Sequence, residues 1–207
     1  MKFIDENNYY VDTAFFEVTE QRQAAKYITS ECVVLELGAR YGSVSCIINK
    51  KLSSPLNQVS VEPDSRVHRA LEINRKLNNC DFHIVKGFIS KVPLELFDKE
   101  AHFGYGTSSR QSKTHSEIIP YYSLQSIEEK YGLHFNTLVA DCEGFLEQFF
   151  DENPEFYSQI SLIIFERDCP DKCNYGKISD RLVHFGFLCK EEGFNEVWIK
   201  PTAYYQS

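Results

Sequence analysis

Val33-Val34-Leu35-Glu36-Leu37-Gly38-Ala39-Arg40-Tyr41-Gly42-Ser43-Val44-Ser45 is the stretch that decides how the chain is read. The apolar residues Val33, Val34, Leu35 and Leu37 predict a short buried strand. Gly38 and Gly42 bracket a tight turn, and Ser43 opens a helical run from Val44 to Leu52. Strand, glycine turn and helix N-terminus together form a place where backbone N–H groups meet the polar end of a ligand. A Cβ at either glycine would obstruct the turn or the ligand's approach.

Two acids indicate the kind of ligand. The pattern is E-x-G-x-x-x-G, not the G-x-G-x-x-G of dinucleotide enzymes. Glu36, near the end of the strand, would repel a pyrophosphate but suits an ammonium group. A second short strand, Val59-Ser60-Val61-Glu62, also ends in an acid. Glu62 lies 20 residues beyond Gly42, about where nucleotide-binding α/β folds hold the ribose hydroxyls. An acid for an amine and an acid for a ribose point to S-adenosylmethionine.

Three segments carry a more specific likeness: Glu36 to Ser45, Val61-Glu62-Pro63-Asp64, and Leu138-Val139-Ala140-Asp141-Cys142-Glu143-Gly144 followed by Ile163 to Glu166. With them the chain resembles the FkbM-type S-adenosylmethionine-dependent methyltransferases from about Cys32 to Lys200. Arg40 stands where that family usually has Asn, and Cys142 where it usually has Val. The resemblance implies a Rossmann-like class I methyltransferase α/β sandwich. Its mostly parallel seven-stranded sheet would end in a C-terminal antiparallel hairpin. It also implies a hydroxyl of a sugar, glycan or other small polar metabolite as methyl acceptor. Glu36, Gly38, Ala39 and Gly42 would hold the methionine part, Glu62 the ribose, and Gly87 and Phe88 the adenine, with Arg40, Ser43 and Pro63 as further cofactor-binding candidates.

The 207 residues predict one domain, with residues 1–30 as an extension carrying a cover helix. Sixteen Phe and twelve Tyr supply much of its core. A net charge of −8 argues against a nucleic-acid footprint. No apolar run approaches membrane-spanning length, and no apolar signal core opens the sequence. Seven scattered cysteines fit reduced thiols and a cytoplasmic protein. Cys169 and Cys173, with His184, lack a fourth zinc ligand, so an ordinary loop is the better reading there.

Along the chain, residues 1–12 are expected to be loosely held, and Thr13 to Ser30 to form a helix over the sheet edge. Helices are predicted at Ser65–Leu77, Leu124–Tyr131, Phe145–Asp151 and Ile178–Phe185. Strands are predicted at Phe82–Lys86, Thr137–Ala140 and Ile160–Phe165, with a closing hairpin from Phe187 to Lys200. The basic residues Arg66, Arg69, Arg75 and Lys76 read as a solvated helix face. Phe103 to Ser116, rich in Gly, Ser and Thr, is either a substrate-facing loop bearing Arg110, Lys113 and His115 or a plain hairpin tip.

Methyl transfer to a hydroxyl also needs a proton acceptor. Asp141 at a strand end, Glu143 at the following turn and His115 are the candidates, against capping and turn-stabilising roles for the acids and simple solvation for the histidine. Asp141, Glu166 and Asp168 fall at adjacent strand ends, where oxygen ligands would hold Mg²⁺. Structural caps or arginine partners are the plainer reading of the same acids. Two other classes stay open: a cofactor-binding module without turnover, and an NAD-dependent oxidoreductase, which the spacing and Glu36 disfavour.

Overall fold

The computed structural model describes residues 1–13, 16–97, 108–111 and 119–201. Seven strands form the central sheet: β1 (Val34–Leu37), β2 (Gln58–Glu62), β3 (His83–Lys86), β4 (Thr137–Ala140), β5 (Leu162–Glu166), β6 (Leu188–Glu191) and β7 (Asn195–Ile199). Their spatial order is β6-β7-β5-β4-β1-β2-β3. The first five run parallel. β7 lies antiparallel to β5 and to β6, which makes the closing hairpin. The order reverses between β1 and β4, and in open α/β sheets a crevice opens beyond the strand ends at such a point.

Every residue of β1, β2 and β4 is buried, as both faces of a parallel sheet require. On one face α1 (Val18–Tyr27) and α2 (Ser43–Lys51) cover the sheet. There Ala24, Ile28, Val44 and Ile48 pack on Val34, Val139 and Ile164. α3 (His68–Leu77) adds Leu71 beside Phe82 and Ala39. On the other face lie α4 (Leu124–Tyr131), α5 (Leu146–Glu152), the short α6 (Phe156–Gln159) and α7 (Tyr175–His184). They bring Ile127, Phe149, Phe156 and Leu182 onto Leu35, Leu138, Ile163 and Phe165. Each such side chain contributes roughly 1.5–3 kcal/mol by leaving water.

Several sequence expectations are corrected. The first residues are not loose. Phe3 is 1% exposed and packs with Leu71 and Phe82. Asn74 on α3 and Asn78 at its C-terminal cap hold the backbone beside it. The Lys2 and Ile4 amides donate to their Oδ1 atoms at 3.1 and 2.8 Å, and both Nδ2 groups donate back to the carbonyls of those same residues. Side-chain amides satisfy this backbone as a neighbouring strand would, which no hydrophobic period reports.

The α1 helix begins at Val18, after Glu17 in the left-handed region at φ 54°, not at Thr13. Ala14 and Phe15 lie outside the described residues. α3 begins at His68 instead of Ser65, because Asp64 Oδ1 accepts from the Arg66 amide at 3.0 Å and holds a turn there. α7 starts three residues earlier than Ile178, since Asn174 caps it by accepting from the Lys177 amide. Within the expected loop, Ser108–Gln111 is a strand paired antiparallel with Leu94–Phe97.

Candidate functional site

A cleft of about 740 Å³, open to solvent, lies over the carboxyl ends of β1, β2 and β4. Leu37, Gly38 and Arg40 form one wall, and Val61, Glu62, Pro63 and Asp64 another. Phe88, Ile89, Leu96 and Ser109 line a third side; Asp141, Cys142, Glu143 and Phe145 complete the site.

The glycine turn is folded back on the sheet. Gly38 and Ala39 amides both donate to the Val61 carbonyl, and the Gly42 amide donates to Ala39. The Arg40 amide donates to Glu62 Oε2 at 2.6 Å. Four of the turn's N–H groups are therefore used internally, and the turn offers a ligand fewer donors than the sequence suggested. Gly38 has φ +89°, and a Cβ there would lie 1.7 Å from the Asp141 carbonyl oxygen. The turn can thus lie against the end of β4 only with glycine at this position.

Glu62 is 6% exposed and its carboxylate is set by two backbone donors, the amides of Arg40 and Asp64. Burial pushes its pKa up to about 7 in spite of those donors. Phe88, 5% exposed, packs at 6.1 Å, ring centre to ring centre, from Phe145. Gly87 precedes it at φ +151°, and a Cβ there would meet the Pro120 carbonyl oxygen at 2.2 Å. This close approach lets the Phe88 amide donate to Pro120 and seats the ring at the cleft.

The structure therefore brings Gly38, Arg40, Glu62, Pro63, Phe88, Asp141 and Glu143 to one cleft. It does not bring Glu36 there. Strand alternation puts Leu37 on the cleft face and Glu36 on the face toward α2. Glu36 accepts from Ser60 Oγ and Gln58 Nε2, and burial raises its pKa to about 7. Ala39, Gly42, Ser43 and Gly87 support the walls without lining them. Ser43 donates from its Oγ to Glu17. His115 and Lys113 lie outside the described residues. Arg110 sits beside the cleft-lining Ser109 but pairs with Glu95 at 2.8 Å and lies over the Phe97 ring.

Asp141 leaves its Oδ1 buried without a hydrogen-bond partner. Burial first, and then the neighbouring carboxylates of Glu20 and Glu166, push its pKa well up. Glu143 follows two residues later in the left-handed region at φ 52° and accepts from the Cys169 thiol at 3.5 Å. Asp168 accepts from the Tyr175 hydroxyl at 2.6 Å. The Cys169 thiol is pushed up to about 12, mainly by burial.

Sequence reading missed the acids of α1. Glu20 is 3% exposed, although it belongs to a helix assigned a covering role. The only available signal was its place two residues from Val18 and four from Ala24, at the margin of the apolar stripe.

No protein-family model matches the sequence, and neither does any curated protein sequence. Solved structures do match. Precorrin-6y C5,15-methyltransferase of Geobacter metallireducens aligns over 86% of this chain and 85% of its own, with TM-score 0.51 and 12% identity. The central fold is the Rossmann-like methyltransferase sandwich. A Streptococcus pneumoniae protein provisionally assigned as a tRNA (m1A22) methyltransferase aligns over 88% of this chain and 71% of its own, with TM-score 0.51 and 10% identity. A Streptococcus agalactiae protein of the NADB-Rossmann superfamily matches at TM-score 0.51 and 7% identity, and this chain spans 65% of its length. The shared sandwich places the cleft where such sheets bind their ligands. Among the described residues, no helix is long and apolar enough to cross a membrane.

Proposed function

We propose that the chain is an S-adenosylmethionine-dependent methyltransferase acting on a hydroxyl of a small polar acceptor, such as a sugar or glycan. The observation that carries this reading is the Glu62 carboxylate, held by two backbone amides at the end of β2 and facing a cleft walled by Phe88 and Ile89. Those residues fit an adenosine: a fixed acceptor for ribose hydroxyls beside an apolar wall for the base. The bound cofactor would supply the electrophilic methyl group, which leaves the protein alignment, water exclusion and proton removal. The chain's acidic surroundings suit a cationic cofactor better than a dinucleotide pyrophosphate.

Glu62 anchors and orients. Gly38, with no side chain, lets the turn close against the end of β4 and form the floor beneath the cofactor's methionine end. Phe88, Ile89 and Leu96 exclude water from one side. Glu143, turned over the cleft by its left-handed backbone, takes the acceptor's proton, and the Cys169 thiol holds its carboxylate in place. A base so positioned contributes about 10²–10⁴-fold to the rate. The acceptor class rests on the FkbM-like motifs, including Asp141-Cys142-Glu143-Gly144, and not on the fold.

The test is calorimetric titration of the full chain with S-adenosylhomocysteine, comparing wild type with Glu62→Ala. Binding by the wild type, and weakening of at least about tenfold in the variant, supports the reading. Absence of binding by folded wild-type protein would remove it.

A further inference from the structure

We propose that Glu20, Asp141 and Glu166 form a binding site for one hard divalent cation, of the Mg²⁺, Mn²⁺ or Ca²⁺ kind, which meets the cleft at Asp141. These side chains come from three separate elements: the covering helix α1, the end of β4 and the end of β5. One carboxylate oxygen from each lies within 4.8 Å of the other two. Oxygen ligands sit about 2.0–2.6 Å from such ions, so two ligands of one ion are at most about 5 Å apart. The spacing therefore allows all three to reach a single ion.

Two observations besides the clustering point to a ligand. Glu20 is 3% exposed, and no described residue donates a hydrogen bond to its carboxylate. Asp141 has a buried Oδ1 with no partner. Buried polar atoms are ordinarily paired, and a buried carboxylate especially so. Among the described residues, no lysine or arginine pairs with the trio. Arg167, next to Glu166 in sequence, turns away to Glu196 at 2.7 Å, and the charges acting on Glu20 are all carboxylates. Asp141 and Glu166 are also in hydrogen-bonding contact with each other, so one proton can relieve that pair, whereas a divalent cation would relieve all three acids, each pair of which repels by roughly 3–4 kcal/mol when ionised at an effective dielectric of 20.

The neighbouring group of Glu143, Asp168 and Cys169 is less suited, because Asp168 already accepts from Tyr175 and Glu143 from the thiol. The adenosine-facing wall at Glu62 is a different part of the cleft, so this site stands independently of the methyltransferase reading.

Titration of the full chain with MnCl₂, following free Mn²⁺ by electron paramagnetic resonance, tests the site. Wild type should take up one ion per chain. Glu20→Gln and Glu166→Gln should each weaken uptake by about tenfold or more. Glu129→Gln, on the exposed side of α4, should leave it unchanged. Glutamine keeps the shape and removes a repelling charge, and circular dichroism melting verifies that each variant is folded. Wild type that takes up no Mn²⁺ at about 1 mM, or uptake indifferent to both variants, overturns the proposal. A parallel titration with S-adenosylhomocysteine in EDTA identifies the rival occupant, the ammonium of an amino acid moiety. If Glu20→Gln weakens that binding tenfold while wild type takes no Mn²⁺, the trio serves the ammonium and the metal assignment is wrong. Failure of S-adenosylhomocysteine to bind at all would instead count against the proposed function and leave the Mn²⁺ result to decide the site.

Discussion

Glu36 and Glu62 stand at matching ends of adjacent parallel strands, yet burial gives them different tasks. Glu36 is sealed against α2 in a polar network with Ser60, Gln58 and Asn49. Its folded pKa of about 7 lies above the ordinary 4.5. Between those values the folded chain keeps a proton that the unfolded chain has released, so stability falls as pH rises from about 4.5 to about 7. Glu36→Gln removes that slope. Urea unfolding followed by the single tryptophan, Trp198, should show the variant stabilised by roughly 2–4 kcal/mol at about pH 8 and unchanged at about pH 4.5. An equal gain at both would refute the assignment.

Glu62 faces the cleft, and ribose hydroxyls donate best to its ionised form. Affinity for S-adenosylhomocysteine should therefore rise about tenfold from pH 6 to pH 8 and level off above; an affinity flat across that range would show that this carboxylate does not hold the ligand. Sequence reading found Glu62 because a strand-terminal acid at a set distance from a glycine turn is a local pattern. It assigned Glu36 to the ligand for the same reason, but one step of strand alternation put Leu37 on the cleft face instead. Glu20 carries no local pattern at all: its burial follows from how α1 packs on the ends of β4 and β5.

At the scale of elements, α1 is fastened by its partner on the far edge of the sheet. Arg22, Gln23, Lys26 and Tyr27 all donate to the Glu191 carboxylate at the end of β6. The hydrogen bonds from Arg22 and Lys26 hold the Glu191 pKa well below its usual range. A depressed acid stabilises the fold above its ordinary pKa of 4.5, and the effect is lost as pH falls toward its lowered value. Glu191→Ala should lower the melting temperature by a few degrees at neutral pH. The loss should shrink at about 0.5 M NaCl, where partly exposed pairs are screened, and a loss unaffected by salt would point to packing instead.

The five parallel strands and the hairpin were readable, because short apolar runs with acids or glycines at their ends mark them plainly. Helix starts were less so. At α3 and α7 the deciding feature is one side chain, Asp64 or Asn174, capturing an amide two or three residues ahead. The strand Ser108–Gln111 was hidden by its polar composition, since its register is set by its partner Leu94–Phe97.

Across the whole molecule, the sandwich shares only 12% identity with a methyltransferase of solved structure and yet aligns with it over 86% of the chain. The fold therefore depends on pattern more than on particular residues, and the chemistry has to be sought in the few side chains over the strand ends. A ligand that binds only the folded chain stabilises it by mass action, by about 2.7 kcal/mol at a hundred times its dissociation constant. For a chain of this size, S-adenosylhomocysteine at that excess should raise the melting temperature by about 5–10 °C. NAD at the same concentration should not; a shift with NAD alone would favour the oxidoreductase reading.

The anchoring of Lys2–Ile4 on Asn74 and Asn78 also bears on vectorial synthesis. The partners are 70 and 76 residues apart. At ribosomal speeds of 5–20 residues per second, Phe3 waits about 4–15 s before the Leu71 and Phe82 surfaces that receive it have been made. Until then its place beside Ala39 and Cys46 has no lid, and a nascent chain halted short of α3 would present both the loose aromatic residue and the half-built hollow to chaperones.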